Sequence, residues 1–294
     1  VRFAKAAKRP RPAPARAIGA AVAACCCLVC GSAHAFAYNA IDVNDQLIHV
    51  GGQLDPIVWN KQNVSFTINL GDPALRQDTL TAMEEWNSVG ANIALASGNT
   101  SGGVCSESDG ANVVKLTTSN CGRDFGDILG LTRFQSIAVG DTYYMIDADI
   151  QIRDLNAEGD AWSARSGTSD VEFSDQQLCV SAAGGSKVCD FYRVVIHELG
   201  HAIGLTHPDE VGQRKAAVMN SGISGLSKPF HLTADDMAGA RFLYPPTRGA
   251  AADATAAPPR ATSKGGGGAF TLLSLLLAGA WVTRRTTQAG RRAR

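Results

Sequence analysis

Apolar and polar side chains alternate along Val64-Ser65-Phe66-Thr67-Ile68-Asn69-Leu70, the two-residue period of a half-buried strand. The period then lengthens. Gly71-Asp72-Pro73 opens a helix predicted to end near Val89, with Trp86 in the core. Val113–Leu116 and Ile128–Phe134 read as further strands. Tyr143–Arg153 reads as the longest, with Ile146, Ala148, Ile150 and Ile152 on one face and Asp154 at its end. Phe191, Val194 and Val195 give an apolar back to a helix leading into His197. A last helix is predicted in HLTADDMAGARFLYPP. Thr233 is its N-cap, Asp235 and Asp236 sit in the first turn where the helix dipole favours negative charge, and the chain leaves it near Tyr244, before Pro245. No internal repeat is visible.

The ends of the chain follow different rules. Basic residues from Arg2 to Arg16, an apolar run from Ile18 to Cys30 and the small-x-small triplet Ala33-His34-Ala35 read as an export signal spanning 1–37, cut after Ala35 or Ala37. A lipoprotein-type cut before Cys25 is the second reading. Residues 247–264, rich in Ala, Pro and Thr, read as a flexible linker. Beyond it come Gly265–Gly268, an apolar run from Ala269 to Val282 and an arginine cluster, together 265–294. This is the pattern of a bacterial sorting tail or of a plain membrane anchor with the arginines on the cytoplasmic side. One domain, 38–246, lies between, exported to the cell surface or the medium.

The zero net charge of the whole chain hides an acidic domain. From Tyr38 to Pro246 there are 26 Asp and Glu against 13 Lys and Arg, the reverse of a nucleic-acid footprint. Asp147, Asp149 and Asp154 offer oxygen ligands for Ca²⁺, or a solvated polar face. Four of the eight cysteines fall in the export signal. The remaining four, Cys105, Cys121, Cys179 and Cys189, predict disulfides in an exported domain. Of three connectivities, Cys105–Cys121 with Cys179–Cys189 closes short local loops. Thiolate zinc ligation is the weaker alternative, since neither pair has C-x-x-C spacing.

The chemistry concentrates in HELGHAIGLTH, residues 197–207. His197 and His201 are one helical turn apart, so both imidazoles leave the same face and share a metal ion. Gly204 permits the left-handed turn that brings back His207 as third ligand. Three neutral nitrogens with an open fourth position describe catalytic Zn²⁺ rather than a closed structural site. Glu198 reaches a metal-bound water without ligating, as a general base requires. Five constrained positions make a chance match about one in 10⁵.

The full H-E-x-x-H-x-x-G-x-x-H pattern is that of the metzincin peptidases. Together with Met219 in AAVMNSG, twelve residues after His207, and Leu232-Thr233-Ala234-Asp235-Asp236 before Leu243-Tyr244, it makes residues 58–246 resemble the matrixin branch, with some serralysin character. The resemblance implies an α+β fold: a twisted, mostly parallel five-stranded sheet with an antiparallel edge strand, packed on long helices, and a zinc cleft across the domain. It also implies a Met-turn at Met219, and a last helix whose Asp235 and Asp236 tie that turn to the N-terminus. An edge strand at the cleft would take substrate as an added strand, with Tyr143–Arg153 or the segment after it as the candidate. The implied activity is hydrolysis of internal peptide bonds in protein or peptide substrates by a monomer.

This chain departs from the family in places. Pro208 follows the third histidine, as in serralysins. Ser221 replaces the tyrosine that some metzincins use as an extra ligand. The inhibitory propeptide cysteine is missing. Only His34, His49 and His231 remain for a second zinc site, too few; His34 falls in the export signal, and the other two are expected to be packed or solvated. Two other functions compete: a non-catalytic surface-binding module, against which Glu198 and the open position count, and a zinc amidase acting on cell-wall peptides, which differs only in substrate.

Overall fold

A long central strand organises the domain. The computed structural model describes residues 36–42, 46–52, 54–106, 109–165, 172–182, 184–221 and 226–246, and the backbone of 273–274. In chain order these form β1 (Ala37–Ile41), β2 (Leu47–Val50), β3 (Val58–Trp59), β4 (Asn63–Asn69), α1 (Pro73–Asn87), β5 (Ala94–Ser97), β6 (Asn112–Thr117), β7 (Gly130–Val139) and β8 (Thr142–Arg153). Then follow β9 (Ala161–Ser163), β10 (Cys179–Ser181), β11 (Lys187–Asp190), α2 (Phe191–Ala202), β12 (Leu205–Thr206), α3 (Ala234–Leu243) and β13 (Leu273–Ser274).

The main sheet runs β5-β4-β6-β8-β7, parallel except for β7, which turns back on β8 through Gly140 at φ +63°. This is the expected α+β, mostly parallel arrangement with an antiparallel edge. The sheet counts seven strands rather than five because two-residue pieces extend it: β3 beside β8, and β13 on β7. Pieces that short carry no readable alternation. The α-helices number three among the described residues, of 15, 12 and 10 residues, shorter than the long helices expected. Two small sheets, β12-β1-β2 and β10-β11-β9, flank α2 in sequence.

Strand β8 corrects two expectations. It lies inside the sheet, with β7 along one edge and β6 and β3 along the other, so the strand itself has no free edge to offer a substrate. Its alternation also slips. The pairing steps from Gln135↔Asp147 to Ser136↔Met145, leaving Ile146 as an extra residue. Past that bulge Met145 is fully buried, and Ile146 is only half-buried.

On the other face, Asp147 and Asp149 are not solvated. The loop ahead of β6 covers them, Gly110 N–H donating to Asp147 at 3.1 Å and Val113 N–H to Asp149 at 2.9 Å. Burial, with Asp147 beside it, pushes Asp149 up to about 8.

The described part of the chain begins at Phe36. Phe36 and Ala37 are buried: Ala37 pairs with Thr206, and Phe36 packs on Phe242 at 5.1 Å between ring centres, as a cut after Ala35 rather than Ala37 would allow. The rest of the signal, the linker and most of the tail lie outside the described residues. No helix among the described residues is long and apolar enough to cross a membrane, and the fragment of the run Ala269–Val282 that is described, Leu273–Ser274, is strand rather than helix.

Cys105 pairs with Cys121, fastening the loop over Asp147 and Asp149, and Cys179 pairs with Cys189 across β10 and β11. The bridges close stretches of 16 and 10 residues. By chain entropy each is worth about 3 kcal/mol. Replacing Cys105 and Cys121 by Ser together is expected to lower the unfolding free energy by that amount in urea denaturation, with reductant giving no further loss at that bridge.

Candidate metal centre

Helix α2 starts where Asp190 accepts the Arg193 N–H, and the apolar residues of its first two turns are buried against the sheet. That leaves one polar stripe, His197, Glu198 and His201. The helix stops because its last carbonyls are claimed from outside. Trp59 donates its indole N–H to Ala202 O at 2.8 Å, the Tyr244 hydroxyl donates to Ile203 O at 2.9 Å, and Asn39 N–H donates to Gly204 O at 3.1 Å. Gly204 sits at φ +99°, and a Cβ there would meet Ile57 O at 2.8 Å. The turn it allows delivers β12, which pairs with β1, and then His207.

The three imidazoles converge. Their Nε2 atoms lie 3.1, 3.1 and 3.2 Å apart. Each Nδ1 faces an acceptor: Val218 O at 2.8 Å from His197, Leu205 O at 2.9 Å from His201, and Glu210 Oε1 at 2.9 Å from His207. Carbonyl and carboxylate oxygens only accept, so every proton sits on Nδ1 and three lone pairs aim at one point. Burial holds His197 and His201 neutral, well below the ordinary imidazole range. A zinc ion about 2.0–2.1 Å from three tetrahedrally arranged nitrogens would space them roughly 3.3–3.4 Å. The donor set therefore fits zinc, and among the described residues these histidines form the one group of three His, Cys, Asp or Glu close enough to hold a metal ion. Asp147, Asp149 and Asp154 do not converge in that way.

Glu198 is 4% exposed, and burial pushes it up to about 7. The Thr132 hydroxyl on β7 is 2.7 Å from Oε2, while Oε1 lies over Gly130, where a Cβ would come within 2.8 Å. Neither Gly130 nor Thr132 stood out in sequence, since only the pairing of β7 shows what they face.

Beneath the histidines lies the Met219 turn. Asp236 gathers it, accepting from Val218 N–H at 3.0 Å, Met219 N–H at 3.1 Å and Thr233 N–H at 2.8 Å, and closing a capping box with Thr233. Val218 thus links the Asp236 carboxylate to His197. Asp235, next to it, is only half-buried and sits near Lys215; burial moves it up to about 6. Met219 fills the space over Gly200, where a Cβ would lie 2.2 Å from its sulfur and 2.9 Å from Trp86. Ser221, at the position of the absent tyrosine, bonds Asp209 through N–H at 2.8 Å and hydroxyl at 2.6 Å.

The two leftover histidines differ. His231 contacts Glu85 at 3.2 Å and Arg165 at 2.9 Å, away from the site. His49 lies beside the centre, 3.6 Å from Glu210 and 3.2 Å from the Thr206 hydroxyl. Glu210 therefore orients His207, a role its position three residues further on left unannounced.

Compared with known proteins, residues 127–245 match the family model of the matrixin peptidases. The matched span runs from just before β7 to the end of α3 and holds all three histidines, Glu198, Met219 and Asp236, so this part of the chain is similar to a zinc-dependent metalloprotease. No curated protein matches the chain. A solved structure titled "Structure of Myroilysin" is similar over 65% of this chain and 83% of its own length, at 15% identity and a TM-score of 0.32.

Removing the Asp236 carboxylate strands buried N–H donors of Val218, Met219 and Thr233. Asp236→Ala is expected to cost about 3 kcal/mol or more, read by urea denaturation of the metal-free protein, and Asp236→Asn less, because one acceptor survives.

Proposed function

We propose that the protein is an exported zinc metalloendopeptidase. The observation that carries this is the convergence of three imidazole nitrogens, each with its proton held on the far side, beside a buried carboxylate that does not ligate. A purely structural site would close with a fourth protein ligand. When bound, zinc would supply Lewis acidity toward the scissile carbonyl and lower the pKa of the attacking water.

The chain's own groups do the rest. Glu198 takes the proton of the attacking water, and its raised affinity for protons, near neutrality, suits it to pass that proton to the leaving amine. Thr132 holds Oε2 and the missing side chain at Gly130 leaves room for Oε1, so the carboxylate keeps one orientation. His207 is steadied by Glu210. The substrate main chain would add to the outer edge of β7 between Gly130 and Phe134, next to Glu198. In this reading an export signal is cut after Ala35, freeing Phe36 to pack in the domain, the domain acts as a monomer, and the tail from 265 to 294 attaches or sorts it at the surface.

Glu198→Ala is expected to retain about one equivalent of zinc by elemental analysis and to lose at least about a hundredfold in turnover of a denatured protein. A chelator should abolish the wild-type activity and added zinc restore it. Substantial cleavage by the variant would exclude this mechanism. Wild-type protein that releases stem peptides from cell wall but spares denatured protein would point to an amidase.

A further inference from the structure

The three converging imidazoles are not held alike. His197 and His201 share one helix, and their Nδ1 atoms face main-chain carbonyls, Val218 O and Leu205 O. His207 stands outside that helix, past the Gly204 turn, at the start of the short 3-10 turn Pro208–Val211. Its Nδ1 faces a side chain instead, Glu210 Oε1 at 2.9 Å. That glutamate has 38% of its side-chain surface exposed. An exposed, flexible carboxylate fixes little by itself, because holding it in one place costs side-chain entropy.

A second contact comes from the other end of the domain. His49 on β2 places Nδ1 3.6 Å from Glu210 Oε2, the oxygen that His207 does not use. Among the described residues these two histidines are the ion-pair partners of Glu210. The same Nδ1 lies 3.2 Å from the hydroxyl of Thr206, a buried residue next to His207 in the chain. A carboxylate only accepts, so the proton of His49 sits on Nδ1, and the Thr206 hydroxyl oxygen accepts it. The half-buried His49 ring has the frame that Glu210 lacks. Residue 49 pairs with Asn39 across β1 and β2, and β1 pairs through Ala37 with Thr206. Because His49 lies before the matched span 127–245, no correspondence with the matrixin family assigns it a role.

We propose that His49 is a positioning residue of the metal centre: it steadies Glu210, and through Glu210 the one histidine of the three that α2 does not carry. The β1–β2 hairpin is then part of what retains zinc. This deepens the zinc reading of the site and rests on it. Glu198, held by Thr132 on β7, is outside this run of contacts, so the effect falls first on zinc retention.

The experiment measures zinc affinity of the full chain by competition with a chromophoric chelator, and metal-free stability by urea denaturation. His49→Ala is expected to bind zinc about tenfold more weakly than wild type, and Glu210→Ala about ten- to a hundredfold more weakly. His49→Asn puts an amide N–H where Nδ1 stood and should recover most of the loss. The double variant should bind no more weakly than Glu210→Ala, because His49 acts only through that carboxylate. A merely structural histidine would lower metal-free stability and leave the affinity of the folded protein alone. Unchanged affinity in folded His49→Ala, or in His49→Gln should the alanine variant not fold, overturns the proposal. A further full loss in the double variant does the same. Wild-type protein that binds no zinc overturns the zinc reading itself, and the inference with it.

Discussion

Three lone pairs aimed at one point repel each other unless a cation lies between them, and the domain spends much of its polar bonding on keeping them there. Each imidazole is turned by its far nitrogen: one by a carbonyl of the methionine turn, one by a carbonyl of the strand that follows the helix, and one by the Glu210 carboxylate. The orientation is thus set before any ion arrives, which limits the reorganisation that binding requires. Without those three acceptors the rings would be free to flip their tautomers and point elsewhere.

The acceptors are themselves fixed from below. Asp236 holds the turn that supplies Val218 O, and Gly200 lets Met219 and Trp86 approach the helix from beneath. Trp86 also donates its indole N–H to Ile196 O at 2.9 Å, tying α1 to α2. Overpacking at that contact would be transmitted directly to His197 and His201, since cores resist added volume. The electrostatics divide along the same lines. Burial keeps the ligand imidazoles neutral and raises Glu198, whereas Glu210, bonded to His207, is moved below the usual carboxylate range.

Much of this was legible in the chain. The helix through His197, the glycine turn at 204 and the capping of the last helix by Thr233 are local, set by spacing and by single residues with restricted conformational preferences. The parallel core strands showed themselves through apolar alternation around Phe66 and Ile150 and through the short apolar stretch Val113–Leu116. The missing parts depend on pairing between distant segments. Which strand lies inside the sheet was not legible because only the long-range pairing of β8 with β6 shows it, and the phase of β8 because a single extra residue at Ile146 inverts it. Thr132, Gly130 and Glu210 are ordinary residues in sequence, and only the folded neighbourhood shows what they face.

Strand β1 pairs with the two residues just before His207, and Asn39, Trp59 and Tyr244 share the capping of the helix end between them. Segments from opposite ends of the domain therefore meet at the turn that delivers the third ligand. Such distant contacts form late in folding. A chain still missing its final helix has the sequence motif intact yet lacks the cap that turns the backbone toward the ion. Assembly order thus gates the site: the three imidazoles are brought together only once the final helix is in place.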